Sequence, residues 1–327
     1  MRFHEEWIDA TVRAVADVGT TVREIELVPE GGTQPYGPGA HVNFSVLIDG
    51  LPDTRSYSLV GLPGEVYRIA VKLLPESRGG SRYMWSLAPG ARIRMTRPRN
   101  HFELGFGRPE YLLIAGGIGI TPLVAMALAL AGQNAPMRMV YTARNRDDMP
   151  YAGLLEKALG NRLATFSNAD NEWLDVGAQI ARLHPEGEAY VCGPIGLLEA
   201  VKRAWADAGR PAGKLRYETF GNSGRYAAEA FTVRVPNLGR EVVVPENKTM
   251  LAALQEAGIE MMYDCLRGEC GLCAVDIVAC DGIVDHRDVF LSGEQQVQNR
   301  KICACVSRVV RGSVCVDVGY RGQQAAE

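Results

Sequence analysis

Apolar and polar positions change their rhythm twice along this chain. Up to about residue 106 they form short alternating or β-branched runs at 7–18, 21–28, 40–47, 54–59, 66–73 and 92–96, with Gly and Pro between them. Evenly spaced short strands separated by turn residues predict an antiparallel β-barrel. Only 81–87 departs from the pattern, as a short helix. From Arg108 the texture differs. Tyr111-Leu-Leu-Ile-Ala115 is apolar throughout, as a strand covered on both faces must be, and 123–131 continues with helical character. Further strands at 137–143, 163–166 and 188–192 alternate with helices at 151–159, 177–183 and 195–208. That alternation predicts an α/β domain with a parallel sheet. The small, polar stretch 221–229 reads as a linker. After it come a hairpin (230–235 and 240–244), a helix (249–257) and strands at 274–279 and 313–318, an α+β pattern. The expected domains are 1–106, 107–224 and 229–323.

Composition narrows the classes. A chain of 327 residues is long enough for two or three cores, and 47 % hydrophobic with 22 % charged residues is ordinary for a globular protein. A net charge of -3 argues against a nucleic-acid-binding face. No apolar run approaches the roughly 18 residues of a membrane span. The first seven residues lack the apolar stretch of a secretory signal. A reducing, cytoplasmic compartment is therefore expected, where sparse cysteines are ligands sooner than bridges. A monomer is expected. Residues 229–327 hold 14 acidic and 10 basic side chains, so about -4 of formal charge lies in the last zone and the rest of the chain is close to neutral.

The chemistry concentrates in Cys265-Leu-Arg-Gly-Glu-Cys270-Gly-Leu-Cys273, three of the chain's eight cysteines within nine residues. Cys-x4-Cys-x2-Cys with a distant fourth Cys is the spacing of plant-type [2Fe–2S] centres. Gly268 and Gly271 let such a loop curl with its N–H groups inward. Cys280 lies across a strand from the loop and Cys315 within the last strand, which leaves Cys303 and Cys305 as fourth ligands. A zinc site or buried thiols are the alternatives, although zinc sites favour Cys-x2-Cys or His knuckles.

Two further groups of residues accompany it. Arg55-Ser-Tyr-Ser-Leu59 places Arg55 and Tyr57 on one strand face, suited to a phosphate and to an isoalloxazine ring. Ser77-Arg-Gly79-Gly80-Ser81 precedes the short helix and can cradle a phosphate. Gly117-Ile-Gly119-Ile-Thr121-Pro122 joins a strand to a helix, the setting for a pyrophosphate. It is not the dinucleotide fingerprint, because Pro122 replaces the third Gly. Tyr190-Val-Cys192-Gly193-Pro194 ends a later strand in a tight turn, and Arg144 and Arg146 follow the second strand of this zone, where an adenosine ribose would sit.

Together with Asp285-His-Arg-Asp288 and Cys305-Val-Ser-Arg308, the cluster loop resembles that of the phthalate dioxygenase reductase and vanillate O-demethylase reductase family, which supplies electrons to Rieske non-haem iron oxygenases. The resemblance covers almost the whole chain. It implies that Cys305 joins Cys265, Cys270 and Cys273 as the fourth ligand, with the extra Cys303 a departure from the family's pattern. It also implies that FMN is lined by Arg55, Tyr57, Ser58, Leu59, Val71 and Lys72, and that Gly79, Gly80 and Ser81 hold its phosphate. Gly117, Gly119, Thr121 and Pro122 would face flavin and nicotinamide, Cys192, Gly193 and Pro194 would border the nicotinamide, and Phe220, in Tyr217-Glu-Thr-Phe220, would lie near the flavin. Thr121, Cys192 and Phe220 are the expected catalytic residues, with Cys192 positioning the ring and not acting as a nucleophile. Arg144 would meet the ribose of NADH, with NADPH left open. The implied activity carries electrons from NADH through FMN and [2Fe–2S] to an oxygenase. A diiron monooxygenase, a cytochrome, or a non-enzymatic metal-binding carrier role are the rivals.

Overall fold

The computed structural model describes residues 6–48, 50–74, 79–220, 224 and 226–319. Of the expected linker 221–229, residues 221–223 and 225 lie outside the described residues, as do Ser77 and Arg78. By internal packing the chain divides into two compact units, Met1–Tyr217 and Glu218–Glu327.

The first unit opens with strands β1 (Trp7–Gly19), β2 (Val22–Pro29), β3 (His41–Ile48), β4 (Leu51–Ser58) and β5 (Tyr67–Lys72), helix α1 (Gly80–Trp85) and β6 (Arg92–Thr96). They form one sheet in the order β4-β3-β6-β1-β2-β5, antiparallel at each described pairing. A bridge between Leu59 and Ile69 ties the two edges, so the sheet closes on itself. Alternation decides which side chains point inward: Ile25 and Leu27 of β2, Val42 and Phe44 of β3 and Ile69 and Val71 of β5 fill the interior. A register shift between Val12 and Ala14 bends the long β1, as a bulge does.

The same unit continues through β7 (Tyr111–Gly116), α2 (Ile120–Gly132), β8 (Met137–Ala143), α3 (Ala152–Leu159), β9 (Leu163–Ser167), α4 (Val176–Ala181), β10 (Glu188–Cys192), α5 (Ile195–Asp207) and β11 (Leu215–Glu218), whose last residue, Glu218, begins the second unit. The sheet order is β11-β10-β7-β8-β9, with β10, β7, β8 and β9 parallel. Every residue of β7 and of β10 is buried. Helix α2 begins three residues before the apolar run that announced it, because Pro122 in its first turn needs no N–H partner there. The chain leaves β7 in one direction for β8 and β9 and returns on the other side for β10. The crevice between the carboxyl ends of β7 and β10 is thus a topological switch point, where open parallel sheets bind ligands.

Barrel and parallel sheet are joined by polar contacts. Asp148, after β8, accepts hydrogen bonds from the Thr20 and Thr21 hydroxyls at 3.1 and 2.8 Å and faces Lys72 Nζ at 3.7 Å. The Tyr151 hydroxyl donates to Glu24 at 2.7 Å. Tyr151 itself adopts a left-handed conformation, which starts α3 one residue later than its apolar pattern suggests.

The second unit contains β12 (Phe231–Val235), β13 (Arg240–Val244), α6 (Met250–Glu256), β14 (Ala274–Cys280), β15 (Ile283–Asp285), α7 (Gly293–Gln298), β16 (Lys301–Cys303), β17 (Arg308–Val310) and β18 (Ser313–Asp317). Five of the strands form a mixed sheet, β13-β12-β18-β14-β16, and β15 pairs with β17. The strands of three residues, β15, β16 and β17, are too short to show a period in sequence. Helix α6 is capped by the Thr249 hydroxyl and α7 by a Ser292–Gln295 capping box.

Candidate functional site

At the end of β4 and the start of α1, one guanidinium lacks a partner for part of its fork. Arg55 Nη1 pairs with Asp53 at 2.7 Å and with the Thr54 carbonyl at 2.8 Å. Its Nη2 is buried without a hydrogen bond. A side chain on Gly80 would collide with Arg55, and one on Gly79 (φ 92°) would collide with Ile48. The approach of backbone to guanidinium therefore requires glycine, and the vacant donor beside a helix start fits a phosphate. Tyr57 is half-buried, its ring 5.9 Å from that of Phe44, and burial raises the pKa of its hydroxyl. Ser58 is buried with its hydroxyl unpaired, and Leu59 is fully enclosed. The Ser81 hydroxyl accepts from Leu74 N–H at 3.4 Å. The Val71 side chain lies in the barrel core, so this residue can meet a ligand only through its backbone. Lys72, expected near the flavin, has its ammonium group directed to Asp148.

The switch-point crevice is built from two glycine loops in backbone contact. A Cβ on Gly116 would stand 2.7 Å from Pro194 Cδ, and one on Gly193 would stand 3.0 Å from Gly116 N and Cα. A Cβ on Gly119 would collide with the Cys192 carbonyl. By contrast, nothing lies within 4 Å of the Cβ direction of Gly117, whose φ is 53°. The loop thus has one closed side and one open side. Thr121 is buried, with its hydroxyl on the Ile118 carbonyl at 3.0 Å, and Pro122 is buried beside it. Cys192 is enclosed completely, so it offers a ligand its backbone and not its thiol. Arg144 is exposed, its carbonyl accepts from the Ala169 N–H at 2.9 Å, and Arg146 is held by Asp170 at 3.1 Å and Glu172 at 2.6 Å. Phe220 is half-buried and belongs to the second unit.

The cysteine loop curls as its glycines allow. Leu266, Gly268 and Gly271 have φ values of 55°, 76° and 75°. The curl aims three backbone N–H groups, of Arg267, Glu269 and Cys270, at Cys265 Sγ, each at 3.4 Å. Glycine is required at both positions. A Cβ on Gly268 would lie 2.6 Å from Val306 Cγ2, and one on Gly271 would enter the Phe290 ring. From the other side, the Ala304 N–H donates to the Cys273 carbonyl at 3.1 Å and brings residues 303–305 to the loop. The thiols fall into two groups, Cys265 with Cys270 and Cys273 with Cys303 and Cys305. Hydrogen bonds from the Cys303 and Cys305 thiols pull the Cys273 pKa down to about 3, and both partners are pushed up. The Cys303 thiol also lies near Asp288, and the Cys305 thiol near Cys265 and the Gly268 backbone. Among the described residues no three His, Cys, Asp or Glu side chains converge as ligands of a single metal ion do. A cysteine loop with N–H donors already on the Cys265 sulfur, and Cys303 and Cys305 brought to it, has the donor set for a dinuclear cluster held by four thiolates.

Comparison with known proteins agrees. Residues 233–310 match the family model of the 2Fe-2S iron-sulfur cluster binding domain, and 113–203 match that of the oxidoreductase NAD-binding domain. The chain is 36 % identical over 313 residues to tetrachlorobenzoquinone reductase of Sphingobium chlorophenolicum, covering 92 % of this chain and 94 % of that protein. It is 33 % identical over 326 residues to vanillate O-demethylase oxidoreductase of Pseudomonas sp. (strain HR199 / DSM 7063), covering 95 % of this chain and all of that one. The solved structure of phthalate dioxygenase reductase superposes with a TM-score of 0.76 at 26 % identity, covering 95 % and 98 % of the two chains. The chain belongs to the phthalate dioxygenase reductase and vanillate O-demethylase reductase family. It is an oxidoreductase that binds NAD(P)H and a [2Fe–2S] cluster. The zinc and non-enzymatic alternatives are thereby set aside.

In this reductase the residues that first marked the family form the support behind the cluster loop. Asp288 accepts from the Leu291 N–H at 3.0 Å and from the Ser307 hydroxyl at 2.9 Å, and that hydroxyl accepts from the Arg287 N–H at 3.1 Å. The Val289 and Phe290 N–H groups donate to the Gly268 carbonyl. Arg287 pairs with Asp285 at 2.7 Å and reaches the Tyr226 carbonyl. Arg308 donates to the carbonyls of Lys248, Glu229 and Pro245. Burial, aided by Arg287, lowers the pKa of Arg308 to about 10, still charged at neutral pH. Sequence reasoning missed Glu218 and Arg267, a buried pair beside the loop, and the Asp148 contact with Thr20 and Thr21. The pair had only one legible sign, a charged Arg inside the cluster loop.

Proposed function

We propose that this protein takes a hydride from NADH and delivers its two electrons singly to a Rieske-type oxygenase. FMN, when bound, accepts the pair and passes the electrons on one at a time, so one NADH reduces two one-electron acceptors and releases one proton. The observation that carries the reading is the presence in one chain of a phosphate-ready flavin barrel, a switch-point crevice and a three-cysteine loop with two further thiols, Cys303 and Cys305, brought to it. The chain's own residues bind, orient and exclude water. Arg55, Gly79, Gly80 and Ser81 hold the flavin phosphate, and Tyr57, Ser58, Leu59, Val71, Lys72 and Phe220 surround the flavin. Gly117, Gly119, Thr121 and Pro122 face the nicotinamide across from Cys192, Gly193 and Pro194, with Thr121, Cys192 and Phe220 positioning the reacting rings. Arg144 meets the adenosine ribose. Cys265, Cys270, Cys273 and Cys305 ligate the cluster.

The domains carrying these parts are 1–106, 107–224 and 229–323, in a monomer. The Rieske acceptor is supported by the vanillate O-demethylase oxidoreductase relative. A cytoplasmic setting suits four thiolates that must stay reduced. No helix among the described residues is long and apolar enough to cross a membrane. A second reading, a substituted quinone as acceptor, is favoured by the 36 % identity to tetrachlorobenzoquinone reductase. The test is anaerobic addition of NADH to purified protein, then of an oxidised Rieske oxygenase or a chlorinated benzoquinone. NADH should bleach flavin and cluster absorbance together, and the oxygenase should restore it. Recovery with the quinone alone would transfer the assignment to the second reading.

A further inference from the structure

Inside the cluster loop sits a buried charge that neither ligates nor binds substrate. Arg267 lies between Cys265 and Cys270 and is 6 % exposed, and its partner Glu218 is 2 % exposed. Arg267 Nη1 donates to Glu218 Oε1 at 2.5 Å and Nη2 donates to Glu269 Oε2 at 2.9 Å. Arg267 Nε, Glu218 Oε2 and Glu269 Oε1 are all buried without hydrogen bonds. A loop that needed only tethering could use neutral groups with every atom satisfied. This one keeps a guanidinium that cannot shed its proton, next to a backbone N–H already donating to Cys265 Sγ. Out of water and little screened by salt, such a charge acts strongly on a neighbouring site whose own charge changes.

We propose that Arg267 and Glu218 set the reduction potential of the [2Fe–2S] cluster. The fixed positive charge of Arg267 favours the cluster when it has gained its electron, and Glu218 offsets part of that effect. Burial raises the pKa of the Glu218 carboxyl, and the Arg267 guanidinium bonded to it opposes that rise. The hydrogen bond to a guanidinium at full burial favours the ionised carboxylate. The inference rests on the assignment of the cluster to Cys265, Cys270, Cys273 and Cys305. Both residues are positioning residues: the electron comes from NADH by way of the flavin, and no bond is made or broken at either.

The experiment uses the full-length, cofactor-loaded protein. Glu218→Gln, Arg267→Gln and Arg267→Lys are titrated anaerobically with redox dyes, the reduced cluster is followed by electron paramagnetic resonance, and the flavin couple in the same sample serves as control. Glu218→Gln is expected to raise the ratio of reduced to oxidised cluster at fixed ambient potential about tenfold, equal to about 59 mV for one electron. Arg267→Gln should lower the ratio by a similar factor, Arg267→Lys should stay near the parent, and the flavin couple should not move. The inference is overturned if Glu218→Gln titrates like the parent, or if Glu218→Gln and Arg267→Gln shift in the same direction, the mark of a disturbed loop. If Arg267→Gln is isolated without iron, Glu218→Gln decides alone. A parent protein with no reduced-cluster resonance would overturn the cluster assignment, and this inference with it.

Discussion

The guanidinium of Arg55 occupies the space that a side chain on Gly80 would need. With Arg55 Nη2 buried and unpaired, the contact brings one vacant cationic donor to the start of α1. Arg55→Ala is expected to weaken FMN binding roughly 10- to 100-fold, the value of a hydrogen bond to a charged group at about 1.5–3 kcal/mol. Gly80→Ala should do the same by displacing the guanidinium. Flavin absorbance per mole of purified protein, with and without added FMN, checks both.

Gly119 meets the Cys192 carbonyl as closely as Gly80 meets Arg55. Gly119→Ala must part the two loops of the crevice, at a cost of about 1–3 kcal/mol for overpacking. Flavin reduction by NADH in stopped flow should slow and its KM rise, while FMN content stays at the level of the parent. Gly117→Ala, whose Cβ would face open space, should leave the loops together and lose less, although its positive φ strains any L-residue.

Cys305→Ser and Cys303→Ser separate the two candidates for the fourth thiolate. With Cys305, the cysteine directly before Val306-Ser307-Arg308, proposed as the fourth ligand, the Cys305 variant should lose iron and visible cluster absorbance while keeping its flavin. The Cys303 variant should keep both. The reverse outcome would assign the ligand to Cys303.

Asp148 joins barrel and parallel sheet, and its pKa lies below the usual carboxylate range. Burial raises it, but the Thr21 and Thr20 hydroxyls and Lys72 outweigh that effect. A depressed carboxylate pKa contributes stability that is present above the unfolded value of 3.8 and lost as pH falls through the folded pKa. Asp148→Asn should therefore cost about 1–3 kcal/mol at neutral pH. The gap from the parent should narrow below about pH 4. Denaturant melts at pH 7 and pH 3 test the sign.

Arg308 satisfies three carbonyls from separate turns of the second unit. Arg308→Ala would leave them with a shared loss of about 3 kcal/mol or more. The variant is expected to lower the melting transition of the iron-containing unit first, seen as early loss of cluster absorbance on heating. Arg308→Lys, lacking the planar fork, should recover only part.

The sequence by itself determined the three zones, because period, turn residues and strand–helix alternation are local properties. It also determined the identity of the cluster loop, since ligand spacing and glycine positions are written in nine consecutive residues. The tertiary structure decided what depends on distant segments meeting. It placed Gly116 and Gly119 against Cys192, Gly193 and Pro194, and seated Arg55 against the backbone of Gly80. It turned the Lys72 ammonium to Asp148. It joined Glu218 to Arg267 across 49 residues. Composition and periodicity register where a side chain is buried, but a charge's partner is chosen by the fold that brings the two together.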